Sequence, residues 1–281
     1  MGSTPQRSCH TLNRMTRPDP LALWDEAGQD LLAVLRVLTP EEHDRTALPG
    51  WTVRDVLAHL AHLESEAAGM PQPPGGRVDV EPKRNQPMPT AVTEAGVAAR
   101  RERSAAEVLE EFETACTRRR EVLAGLDTSD PTVPAPGLAG ELGWDLGTWL
   151  RNRPIDLWVH EQDVRTATGR PMTMTGAGAA HVAGLMERVF PAALKRLPVG
   201  TSVVARITGP QGRVLAARVG VDGRAAPFAP DDEGSDVTLD LDDATWLRLT
   251  GGRLHPAEAE VTVTGDEAVG ATVLAQLNVT P

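Results

Sequence analysis

The chain has 281 residues, more than the roughly 100–200 that one domain usually occupies, so two domains are expected, each able to bury a core. Asp and Glu outnumber Lys and Arg 39 to 28, for a formal net charge of −11, which removes the general electrostatic basis for binding nucleic acid. Cys9 and Cys116 are the two cysteines, far apart and in no CxxC pair, which excludes a disulfide framework or zinc ribbon and suits a reducing cytoplasm.

Residues 1–18 are polar, broken by prolines and lacking the apolar core of a secretion signal, so they are expected to form a disordered tail. No run approaches the roughly 18 apolar residues of a membrane span, so no membrane partner is expected. Leu21, Leu23, Trp24, Leu31, Leu32, Leu35 and Leu38 recur at helical spacing, and Thr39 with Glu42 reads as a capping box for a short second helix. After a turn at Pro49-Gly50, Thr52 caps a long helix, with Asp55 reciprocating, that runs to about Gly69. A Pro- and Gly-rich loop over 71–89 follows. Helical pattern resumes at Val92–Arg103 and at Ser104–Leu126, where Ser104 and Glu107 form another capping box, and residues 127–143 read as a loop. A helix from Pro154, well suited to a first turn, extends to Thr168 and stops at Gly169. Four main helices are the number expected of a bundle, here residues 19–172.

Beyond residue 172 the pattern changes to a small α+β domain, residues 173–281. A helix at about Ala177–Leu197 precedes strands at Ser202–Thr208, Arg213–Val219 and Asp236–Leu241, a short helix near Ala244–Thr250, a strand at Glu260–Thr264 and a helix at Glu267–Leu277.

Helical geometry separates the histidines. At about 100° per residue, Val53, Val56, Leu57, Leu60 and Leu63 cover one side of their helix, with His59 at its border and His62 about 60° further toward the polar side. His62 is therefore expected to face water. A ring at the edge of a core needs a partner, and for His59 either a hydrogen bond or a metal supplies one. Asp156, His160 and Asp163 stand at i, i+4 and i+7, within an arc of about 60° on one helix face. That spacing lets one helix give two ligands to one ion, though a helix cap and a packing niche would account for Asp156 and His160 as well. Taken together, His59, Asp156 and His160 make a nitrogen and carboxylate set suited to zinc or a similar divalent metal, with a fourth position open for water or substrate. Asp163 reads as a residue orienting a ligand or an arginine, or as an exposed acid. Glu161, Gln162, His10, His43, His181 and His255 are left as surface or packing positions.

The segments GWTVRDVLAHLAH (Gly50–His62) and DLWVHEQDVRTATGRP (Asp156–Pro171) resemble the two signature stretches of the mycothiol-dependent maleylpyruvate isomerase family, within the DinB-like superfamily. DVTLDLDDATWLRLTGGR (Asp236–Arg253) resembles that family's second domain, which is similar to sterol-carrier modules. The resemblance implies a DinB-like four-helix bundle, with metal ligands at His59, Asp156 and His160, where Asp156 stands in place of the more usual Glu. It further implies an arginine from the second domain near the active site, for which Arg253 is the candidate, and mycothiol as thiol cofactor or cosubstrate.

The activity so implied is addition of a thiolate to a small electrophile, ending in isomerisation or in S-transfer. Coordination to a divalent cation favours thiolate over thiol, so the protein need not supply a nucleophilic cysteine. The alternative is a non-catalytic small-molecule carrier with a vestigial metal site, which the low aromatic content of 3%, with no Tyr, disfavours. Oligomeric state is not legible in the sequence.

Overall fold

The computed structural model describes residues 19–78, 90–229 and 234–278. The expected tail, Cys9, His10 and most of the 71–89 loop fall outside those residues. Among the described residues, no helix is long and apolar enough to cross a membrane.

The first half is helical. Helix α1 (Pro20–Leu35) starts at the N-cap Asp19, and α2 (Pro40–His43) carries the expected Thr39/Glu42 capping box. Two short strands, β1 (Thr46–Leu48) and β2 (Trp51–Thr52), pair across the Pro49-Gly50 turn, where Gly50 has φ 82°. Thr52 then caps α3 (Val53–Ala67) through its reciprocal box with Asp55. Helix α4 (Thr90–Ala98) lies against α3, and α5 (Ala105–Ala124) begins at the Ser104/Glu107 box. A short α6 (Gly137–Glu141) interrupts the segment read as a loop. Helix α7 (Leu146–Ala167) is one and a half times as long as expected: Asp145 caps it by accepting the Thr148 amide, and Pro154 stands inside it rather than at its start. Proline there lacks the N–H that would bond four residues back. His181 donates from Nε2 to the Arg151 carbonyl at 3.1 Å, so a side chain from the next helix binds the backbone beside the interruption.

Helices α1 and α7 pack together, as do α3 and α5, around Leu31, Leu35, Val56, Leu60, Phe112 and Leu157, all essentially excluded from water. Helix α8 (Gly176–Met186) ends in a 3-10 turn and the four-residue α9 (Phe190–Ala193), so the single helix expected over 177–197 is broken ahead of Pro191, whose ring cannot continue it. The remainder is a five-stranded sheet of β3 (Ser202–Thr208), β4 (Arg213–Val219), β5 (Ala225–Pro227), β6 (Val237–Asp242) and β7 (Thr262–Gly265), with α10 (Asp243–Thr250) and α11 (Glu267–Ala275). Strand order is β5-β4-β3-β6-β7, parallel only between β3 and β6. Val203, Ala205 and Ile207 point into this core with Leu215, Ala217, Leu239 and Leu241, at the period of two that strand geometry gives each face. This second core also takes Ile155 and Trp158 from α7, so the two cores meet along that helix and α7 serves both.

The expectation for His62 is also overturned. His62 is buried, at 1% exposure, not turned to water. Helix α4 covers the face that α3's own polarity marks as outward, and His62 Nδ1 donates to the Gln72 side-chain carbonyl at 2.9 Å. Burial lowers the ring's pKa to about 4 against the opposing pull of Gln72, so the ring is neutral. A Cβ added at Gly96 would lie 2.3 Å from that ring. Gly96→Ala is therefore expected to cost about 1–3 kcal/mol through overpacking, read as a lower urea midpoint; an unchanged midpoint would mean α4 does not close on α3 this tightly.

Candidate metal centre

The capped start of α3 sets the phase that carries His59 to the border of the bundle, and the β1–β2 turn lays Trp51 against it, with ring centroids 5.2 Å apart. From α7, Asp156 and His160 project toward the same point. His59 Nε2 lies 3.5 Å from Asp156 Oδ2, His160 Nε2 lies 3.6 Å from Asp156 Oδ1, and the two imidazoles meet edge to face at 5.0 Å. The three donor atoms all fall within 4.8 Å of one another. Both imidazoles are buried, while Asp156 keeps 28% of its side chain exposed, so the group opens to solvent on the carboxylate side.

Proton positions follow from the partners. His160 Nδ1 lies 2.9 Å from Asp163 Oδ2, and a carboxylate only accepts, so the proton sits on Nδ1 and Nε2 presents a lone pair to Asp156 in the neutral ring. Burial raises the Asp163 pKa, but His160 and Arg253 outweigh it and the carboxyl is held below its usual range. Burial also works against ionisation of Asp156, yet Arg153 and the two imidazoles hold it well below the usual carboxylate value. His59 is kept neutral chiefly by burial, against Asp156, and its Nδ1 is buried with no hydrogen-bond partner. Two imidazole nitrogens and a carboxylate therefore converge on one point, with His160 Nε2 presenting a lone pair to it. A divalent cation suits that donor set, and two ligands of a tetrahedral ion with bonds of about 2.0–2.1 Å stand about 3.4 Å apart, close to the two histidine–carboxylate separations.

Behind the carboxylate lies a buried charge network that the sequence reading did not single out. Arg153 Nη1 donates to Asp156 Oδ2 at 2.9 Å, and its Nε and Nη2 donate to Glu64 Oε1 at 3.1 and 2.6 Å. Glu64 Oε2 accepts from Arg119 at 2.5 Å and from Trp24 Nε1 at 3.1 Å. The signal was present: at about 100° per residue Glu64 falls inside the apolar arc of α3, where an acid requires a buried partner. Arg153 stands at i,i+3 from Asp156.

On the other side of His160 the second half of the chain enters. Arg253 Nε and Nη2 approach the two oxygens of Asp163 at 3.3 Å each, and Nη1 donates to the Gly251 carbonyl at 2.6 Å. The arginine thus reaches a ligand's hydrogen-bond partner, not the ligand cluster itself. Glu161 and Gln162 are buried packing residues: Glu161 pairs with Arg165, and Gln162 accepts the Thr173 amide. Cys116 is buried in α5, which pushes its thiol pKa up and leaves it no part in this chemistry.

The family model described as the mycothiol maleylpyruvate isomerase N-terminal domain matches residues 12–165, the stretch holding His59, Asp156 and His160. A solved structure of the mycothiol-dependent maleylpyruvate isomerase is similar at TM-score 0.54 and 14% identity, covering 87% of this chain and 91% of that one. A histidine-to-alanine mutant of that enzyme is similar at TM-score 0.53 with the same identity and coverage. No curated protein matches the chain in sequence. The family model ends before the sheet, so the resemblance of residues 236–253 to sterol-carrier modules rests on sequence alone.

Proposed function

The chain belongs to the mycothiol maleylpyruvate isomerase family through its N-terminal domain, and from that premise we propose a cytoplasmic, metal- and thiol-dependent enzyme that adds a low-molecular-weight thiol to a small electrophile. The observation carrying this reading is the convergence of the His59, Asp156 and His160 donor atoms within 4.8 Å of one another, with Nε2 of His160 left free by the Nδ1 bond to Asp163. In this reading the bundle of residues 19–172 holds the ion, zinc by ligand type, and residues 173–281 form a second domain that completes the pocket. A divalent ion bound there favours the thiolate form of mycothiol at neutral pH.

The chain's own residues do the rest. Asp163 keeps the proton of His160 on Nδ1, so Nε2 stays available, and Arg253 holds Asp163 in place from the second domain. Arg153 fixes one oxygen of Asp156 and keeps the carboxylate charged. After the thiol sulfur adds to an activated double bond, rotation about the resulting single bond and departure of the sulfur give isomerisation, whereas retention gives S-transfer.

The test is elemental analysis of purified protein combined with calorimetric titration of thiol. One equivalent of metal and saturable thiol binding that vanishes after chelation are expected. Protein without metal that still binds an apolar ligand would instead favour the carrier reading, which the apolar cavity beside α7 supports.

A further inference from the structure

A cavity of about 260 Å³ lies between the two cores, walled by Trp158, Met172, Val182, Met186, Leu247 and Leu254. Asp163 also lines it, so a single side chain separates this space from His160. The charged groups on its wall are Asp163, Arg248 and Arg253, with His255 beside them. Asp163 and Arg253 neutralise each other. Arg248, half-buried on α10, has no hydrogen-bond or ion-pair partner for its guanidinium among the described residues. The cavity therefore carries one unpaired cation on a largely apolar wall, in a protein whose net charge is −11. A half-buried guanidinium with no protein partner is open to an anion, and a carboxylate matches its planar fork bidentately.

We propose that this cavity binds an apolar monocarboxylate, with Arg248 holding the carboxylate and the Trp158–Met186 wall holding its hydrocarbon body. At about 30 Å³ for each water-sized group the space takes about nine such groups, the size of a six- to eight-carbon acid. This deepens the proposed function by naming the substrate class, and rests on that reading only for the ligand's role as the electrophile; the binding itself requires no metal. Arg248 is then the residue that recognises the anion, while Arg253 is engaged by Asp163.

Isothermal titration with octanoate and with 1-octanol tests it, on protein as purified and after chelation. One saturable octanoate site is expected in both preparations, at least tenfold tighter than 1-octanol. Arg248→Met is expected to lower octanoate affinity about tenfold or more, to the level of the alcohol, while Met172→Trp blocks both ligands by filling the space. No saturable octanoate binding by the parent, equal affinity for the alcohol, or an Arg248→Met variant that binds octanoate unchanged would each overturn the proposal. The acid-to-alcohol ratio is measured on the parent alone, so the outcome does not depend on any variant folding. Loss of octanoate binding on chelation would overturn the cavity assignment while leaving the metal reading intact, and absence of metal with octanoate bound would do the reverse.

Discussion

Glu64→Ala is expected to destabilise the protein by about 3–5 kcal/mol, the largest effect of any single substitution outside the apolar core. Glu64 has no exposure to solvent, and both of its oxygens are used, one by Arg153 and one by Arg119 and Trp24. Arg119 is equally buried, its guanidinium 5.0 Å from the Trp24 ring centroid and 4.5 Å from that of Trp149. These aromatic faces offset part of its charge, but they do not replace a carboxylate. Removing Glu64 leaves two guanidiniums in a core from which water is excluded, and Arg153 retains only Asp156. Glu64→Gln keeps the shape and an acceptor oxygen and is expected to lose less. Urea denaturation of the three proteins measures both steps. A loss below about 1 kcal/mol for Glu64→Ala would show that water reaches this network and that it is not the buried support of Asp156 described above.

How much of this was legible depended on the range of the interaction that fixes each feature. The capping boxes at Thr39, Thr52 and Ser104 were readable because each is closed within four residues, and the structure forms all three. The strands Ser202–Thr208 and Arg213–Val219 were readable because Val203, Ala205 and Ile207, and then Leu215, Ala217 and Val219, recur at every second position on the buried face. Pro154 misled because proline's preference for a first turn is a local rule, whereas α7 begins eight residues earlier at a cap made by Asp145. Strands β1, β2 and β5 are only two or three residues long, too short for any period to register. His62 misled for a different reason: a helical wheel reports only the helix's own polarity, and α4 covers the polar side. The i, i+4, i+7 stripe on α7 foretold that Asp156, His160 and Asp163 share a face. That Arg253 docks on Asp163, 90 positions away, and that Arg248 is left facing the cavity, follow only from how α10 packs on the bundle.

His160→Ala is expected to abolish stable metal binding while leaving the bundle folded. With three protein ligands, loss of one leaves an Asp/His pair that does not define a tetrahedral site. Mutation of the hydrogen-bond partner behind a ligand typically costs 10–100-fold in affinity, so Asp163→Asn, which keeps an acceptor oxygen but loses the charge, is expected near the lower end of that range, and loss of the ligand itself is expected to exceed about 100-fold. The fold should tolerate the change. The polar partner of the His160 ring, Asp163, retains Arg253, and the helix around it is anchored by Leu157 and Val164 in one core and Trp158 in the other. Competition with a chromogenic chelator measures affinity in the parent, His160→Ala and Asp163→Asn, and thermal melting of the metal-free proteins checks that all three are folded. Cobalt substitution adds a signature independent of affinity, since the visible bands of a four-coordinate ion change when a ligand is lost. A folded His160→Ala protein that holds a full equivalent of metal as tightly as the parent would remove His160 from the ligand set, and with it the argument that Asp163 and Arg253 act on the metal centre through its imidazole.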